Sequence, residues 1–181
     1  MEIFQYLEEM QNELFEGDLE KIEEKYSSLC LKLAGKEQVE KIRSVNLEAF
    51  EQGLKEGLIQ SIDIANQNSA KAIYYEYDLD NEWNSGFFIC EEYNSLEEED
   101  DDWACDWNEV IDGPDLKSYG DIYLENGFDS TDKAIGSTLY LVARTVCVFA
   151  KVVSEIANTV KIPICIAFHD QDPIMRISKD N

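Results

Sequence analysis

The sequence predicts an α+β fold, with N-terminal helices followed by a mainly antiparallel sheet packed on a long apolar helix. Three observations predict it. Apolar residues recur at helical spacing through the first third. Runs rich in aromatic and β-branched residues begin at Ala70. A second helical stretch, apolar on nearly every side, starts near Thr131. At 181 residues, 44% of them hydrophobic, the chain can bury a substantial core without disulfide or metal staples, and no linker interrupts it. One domain spanning 1–181 is therefore expected, with a helical part over 1–66 and the sheet and long helix over 70–181.

In the first third, Ile3, Phe4, Leu7, Met10 and Leu14 form one helical face, and Gly17 followed by Asp18 supplies a stop and a new N-cap. Leu19, Ile22, Tyr26, Leu29 and Leu33 continue at spacings of three and four, and Gly35 closes that helix. Val39, Ile42, Ala49, Phe50 and Leu54 predict a third helix, interrupted near Ser44 and Asn46. It ends at Gly53 or Gly57 and is followed by a short helical piece over 58–65. These stripes are the core faces that surface helices need.

Strands are expected over 70–77, 87–93 and 162–168, the last with Pro163 near its start, where a missing donor is tolerated. Asp80 and Asn81 mark a turn, 94–102 a polar loop, and Asp112-Gly113-Pro114-Asp115 another turn. By period alone, 103–111 is either a strand or a short helix. Ser130 offers an N-cap, with Asp132 in the first turn, for a helix running to about Asn158. The β-branched residues of 138–148 leave a strand reading open there. The apolar stretch 134–150 contains Arg144 and several small polar residues, too short and too polar for the ~20 apolar residues of a membrane span. The stretch from Asp170 to Asn181 reads as a polar terminal segment.

Charge is the most uneven property. Between Glu76 and Asp132 lie twenty acidic residues against a single Lys117, so this window holds nineteen of the chain's 24 net negative charges. All three tryptophans, Trp83, Trp103 and Trp107, lie inside it. Nucleic acid and anionic membrane surfaces are excluded as partners, because phosphate neutralisation needs Lys and Arg. A basic protein is the complementary partner. The candidate binding residues are Asp80, Glu82, Trp83, Glu97, Glu98, Glu99, Asp100, Asp101, Asp102, Trp103, Asp106 and Trp107, with the tryptophans as buried anchors at the interface. Two blander readings stand beside this one: a solvated loop that keeps the protein soluble, and rings that fill the core face of the sheet.

No catalytic set emerges. His169 is the only histidine, it sits at the end of the last expected strand, and no GxSxG nucleophile elbow accompanies it. The segment from Asp78 to Glu82 begins like a calcium loop, then places Trp83 where Gly is needed and Ile89 where a bidentate Glu is needed. GxxxxGK[ST], GxGxxG and HExxH are absent, and Arg43, Arg144 and Arg176 are the only arginines. Neither metal nor cofactor is implied. Cys30, Cys90, Cys105, Cys147 and Cys165 are scattered, odd in number and without CxxC spacing, so they read as reduced, mostly buried thiols. With no basic or apolar leader over 1–6, a cytoplasmic protein is expected.

The acid-aromatic stretch EYDLDNEWNSGFFICEEYNSLEEEDDDWACDWNE, together with the missing catalytic set, resembles the small acidic cytoplasmic α+β proteins that act as immunity proteins in bacterial toxin systems. That resemblance implies a non-enzymatic protein that binds a cognate toxin domain and covers its active site. The alternatives are an acidic adaptor with another basic partner, or an enzyme of unrecognised type.

Overall fold

A computed structural model describes residues 3–156 and 160–179. Helix α1 (Ile3–Glu16) buries Ile3, Leu7, Met10 and Leu14, while Phe4, expected on the same face, is left 41% exposed. Asp18 caps α2 (Leu19–Ala34) by accepting from Lys21 N at 3.1 Å, and Gly35 at φ 89° ends it. Helix α3 (Lys36–Arg43) is short, and the expected interruption falls between it and α4 (Glu48–Asn68).

Helix α4 does not stop at Gly53 or Gly57. Both glycines stay helical because neighbours lie against their Cα atoms: a Cβ would stand 2.7 Å from Pro114 Cβ at Gly53 and 2.4 Å from the Phe87 ring at Gly57. Close approach to the turn after Asp112 at Gly53 and to the sheet at Gly57 is what these positions require, and tertiary packing outweighs the ~1 kcal/mol helix penalty of glycine.

The sheet has five strands in the order β3-β2-β1-β4-β5, formed by β1 (Ala72–Tyr77), β2 (Ser85–Cys90), β3 (Trp107–Asp112), β4 (Ile164–Phe168) and β5 (Met175–Arg176). Three pairings are antiparallel and β1–β4 is parallel, so the sheet is mixed. The undecided stretch 103–111 divides into a 3-10 turn (Asp102–Cys105) and strand β3. Strand β5 was hidden inside the expected polar terminal segment, where Ile174, Met175 and Arg176 are all buried.

Helix α5 (Lys117–Asn126), for which the sequence pattern gives no expectation, presents Tyr119 and Ile122 to the core. The stretch 138–148 is helical throughout α6 (Asp132–Ile156), because α6 is surrounded and its β-branched side chains have partners on several sides. Its cap is Thr131 rather than Ser130: Thr131 Oγ1 accepts from Ala134 N at 3.1 Å. The expected end near Asn158 lies outside the described residues. Helix α6 meets the sheet through Phe149, whose ring stacks on Tyr75 at 4.8 Å and lies 6.3 Å from Phe87.

One buried cluster extends from Ile3 to Met175 on the helical face of the sheet. A second, smaller one (Ala72, Tyr74, Cys90, Trp103, Cys165, Ala167 and Ile174) occupies part of the opposite, outer face. All five cysteines are free thiols and only Cys105 is exposed. Among the described residues, no helix is long and apolar enough to cross a membrane.

Candidate functional site

The twelve sequence-selected residues do not form one patch. Asp80, Glu82 and Trp83 lie in the β1–β2 turn, whereas Trp107 pairs with Cys90 at the other end of β2. Roughly 20 Å of strand separates the two ends, at about 3.3 Å per residue.

Trp83 is a core residue and not an exposed anchor. It is fully buried, its Nε1 donates to Thr145 Oγ1 at 3.1 Å, and Tyr77 and Tyr119 flank its ring at 5.4 and 5.5 Å. The turn gives way to seat it, with Glu82 and Trp83 both left-handed at φ 56° and 57°. Such residues cost ~1–2 kcal/mol each, which the burial of an indole of this size offsets. Glu82 stays exposed and pairs with Lys117 at 2.7 Å, and Asp80 is exposed.

Trp103 is corrected in the same way. The acidic loop folds over the outer face of the sheet and drives this ring, 3% exposed, between Tyr93 at 5.1 Å and Tyr74 at 6.2 Å. Arg176 holds the loop down. Its guanidinium, 1% exposed, sits 2.8 Å from Asp101 Oδ1, donates to Asn94 O at 2.9 Å, and lies over the Trp103 and Tyr93 rings at 5.3 and 5.6 Å. Asp101 also accepts from Ile174 N at 2.6 Å. Asp101 is therefore a structural ligand of the C-terminal strand and not a partner-facing acid.

The other loop acids face solvent. Glu97, Glu98, Glu99, Asp100 and Asp102 are exposed, with Glu98 closing a capping box on Ser95 and Asp100 accepting from Asp102 N at 3.0 Å. Asp106 is exposed as well.

Trp107, unlike the other two indoles, is exposed. It and Val110 are each 45% exposed, and its indole meets Phe88 edge-on at 5.4 Å. Alternation along the strands puts Glu76, Phe88, Val110 and Asp112 on the same outer face. Glu76, Asp78, Phe88, Val110 and Asp112 line a shallow open depression of about 250 Å³. The open part of the outer face is thus an apolar strip, Trp107–Phe88–Val110, rimmed by carboxylates. The sequence reading missed Glu76, Phe88, Val110 and Asp112. A faint signal existed in Glu76, the one charge in the run AIYYEY.

A second concavity of about 330 Å³ opens at the carboxyl ends of the parallel strands β1 and β4, lined by Phe4, Asp78, Asp80, Tyr123, Phe128 and His169 among others. His169 Nδ1 lies 3.2 Å from Glu76, and that bond raises the histidine's pKa above its usual value. Burial, and then the neighbouring Asp80, raise Asp78 above the ordinary carboxyl value. Among the described residues, no Ser, Thr or Cys lines this concavity. Among the described residues no group of three or more His, Cys, Asp or Glu is placed to hold a metal ion.

No known family, curated protein or solved structure matches the chain. The functional reading therefore rests on this geometry and charge alone.

Proposed function

We propose that this is a non-catalytic binding protein that captures a basic protein partner on the open outer face of its sheet. The observation that carries the reading is the Trp107–Phe88–Val110 strip, its Trp107 and Val110 exposed and Phe88 half-buried, within a carboxylate rim on a chain of net charge −24. An apolar centre excludes water and sets the residence time, while the surrounding field accelerates encounter. Within this reading the partner is a cognate toxin domain met in the cytoplasm, with the acidic face laid over its active site. An adaptor role toward another basic protein uses the same surface.

A pull-down from the source cells, followed by kinetics on the recovered partner, tests the proposal. Reversing Glu97, Glu99 and Asp100 to Lys is expected to lower the on-rate and flatten its salt dependence. Trp107→Ala is expected to raise the off-rate, by about 2 kcal/mol if the ring is a hot spot. An acidic partner, or both rates unchanged in both variants, overturns the surface. Loss of the partner's enzymatic activity on stoichiometric addition separates the toxin-neutralising role from the adaptor role.

A further inference from the structure

The two edges of the sheet are treated differently. At β5 the edge is sealed: the Gln11 side chain from α1 donates to Arg176 O at 3.0 Å and accepts from Arg176 N at 2.6 Å, occupying the place of a neighbouring strand. Strand β3, at the other edge, is six residues long and, among the described residues, pairs with β2 on one side only.

The register fixes which of its backbone groups point outward. Gly113 N donates to Ser85 O at 2.9 Å, and Phe87 faces Ile111 while Ile89 faces Glu109. By antiparallel alternation these are the hydrogen-bonded pairs, so the N–H and C=O of Val110 and Asp112 face away from β2. Trp107, Asn108, Glu109 and Val110 are all exposed. Natural edges of this length are commonly blunted with Lys, Pro or an inward charge. This one carries no Lys or Pro. Its protection is the bulge beside Trp107 together with Glu109, which alternation puts on the same face as Ile111 and which disfavours any added strand except one that brings positive charge.

We propose that an extended, basic segment of the partner adds to β3 as a sixth strand. The inference rests on the acidic-face reading above and specifies its geometry. Outward groups of Val110 and Asp112 supply main-chain hydrogen bonds, the mode by which peptides extend exposed sheet edges. Side chains on the outer face of the added strand lie beside Trp107 and Val110, which favours apolar residues. Those on the opposite face lie beside Glu109, which favours Lys or Arg. Asp106, Glu109 and Asp112 flank this edge, and no Lys or Arg occurs between Lys71 and Lys117. A second copy of the chain is repelled by the same charges, so the occupant is a different, basic chain.

The test uses the full-length protein, isotope-labelled, and the probe peptide acetyl-Lys-Val-Lys-Val-Lys-Val-Lys-amide, with the corresponding Glu-Val peptide as control. The Lys-Val peptide is expected to bind and to slow amide exchange at Val110 and Asp112 by about tenfold, one hydrogen bond's worth. Val110→Pro removes an N–H that points away from β2 and meets no hydrogen-bond partner among the described residues, so folding is expected to survive, and affinity is expected to fall at least about tenfold. If that variant does not fold, the exchange measurement on the unmodified protein decides. Failure of the Lys-Val peptide to bind overturns the inference. So does binding that leaves exchange at Val110 and Asp112 unchanged, with the acidic face still supported. Equal binding of the Glu-Val peptide overturns the charge argument under both readings.

Discussion

Asp101→Ala separates the structural acid of the loop from its five solvent-facing neighbours. In the native protein this carboxylate balances a guanidinium that is 1% exposed, at 2.8 Å, and also accepts from Ile174 N at 2.6 Å. Its removal leaves Arg176 without a carboxylate, held by the Ile174 and Asn94 carbonyls, the Tyr93 side chain and the Trp103 ring. Breaking a buried pair from one side costs about 3–5 kcal/mol. Asp101 itself is 21% exposed in its side chain, so water reaches the site and the lower end, about 3 kcal/mol, is expected. For a chain of this size that corresponds to a melting temperature lowered by roughly 6–12 °C. Urea unfolding gives the free energy directly, and Asp100→Ala and Asp102→Ala serve as controls expected to stay within about 0.5 kcal/mol of the parent. The double variant Asp101→Ala/Arg176→Met is expected to be more stable than Asp101→Ala alone, since the orphaned charge is gone. If Asp101→Ala unfolds at the same urea concentration as the two controls, the assignment of Arg176 and Asp101 as the clasp of the loop is refuted.

Acrylamide is expected to quench one accessible tryptophan component, and Trp107→Phe to abolish it, because Trp83 and Trp103 are 0% and 3% exposed against 45% for Trp107. A surviving quenchable component in that variant would place a second indole at the surface. The bond from Glu76 raises the His169 pKa above 6.5, so its contribution to stability is full below pH 6.5 and is lost as pH rises through the folded value. An NMR titration should show the His169 pKa falling in Glu76→Gln, and the stability gap between parent and variant should narrow from pH 5.5 toward pH 8.5; a pH-independent gap contradicts the linkage. Added NaCl is expected to raise the melting temperature by screening the crowded carboxylates between Glu76 and Asp132. A melting temperature unchanged or lowered between low and moderate salt removes net repulsion as a significant destabilising effect.

The sequence alone determined that the first third of the chain is helical and that β1, β2 and β4 are strands, because helical and strand periods are set by backbone geometry and are written locally. It also determined the acidic surplus and its concentration between Glu76 and Asp132. It could not determine which ring is buried. Trp83 and Trp107 sit in similar surroundings, NEWN and CDWN, yet one is closed off by Tyr77, Tyr119 and Thr145 and the other stands open beside Phe88. Nor could it distinguish Asp101 from Asp100 and Asp102, since the difference lies in Arg176, contributed by a strand far along the chain. Strand β5 itself looked like a polar tail, because its partners are β4 and a glutamine on α1 that lies 165 residues away. The parallel pairing of β1 with β4 and the passage of α4 through two glycines were decided in the same way. Local pattern specifies what a segment can form. Which of its faces is covered, and by what, depends on contacts between residues remote in sequence, and those exist only once the chain has folded.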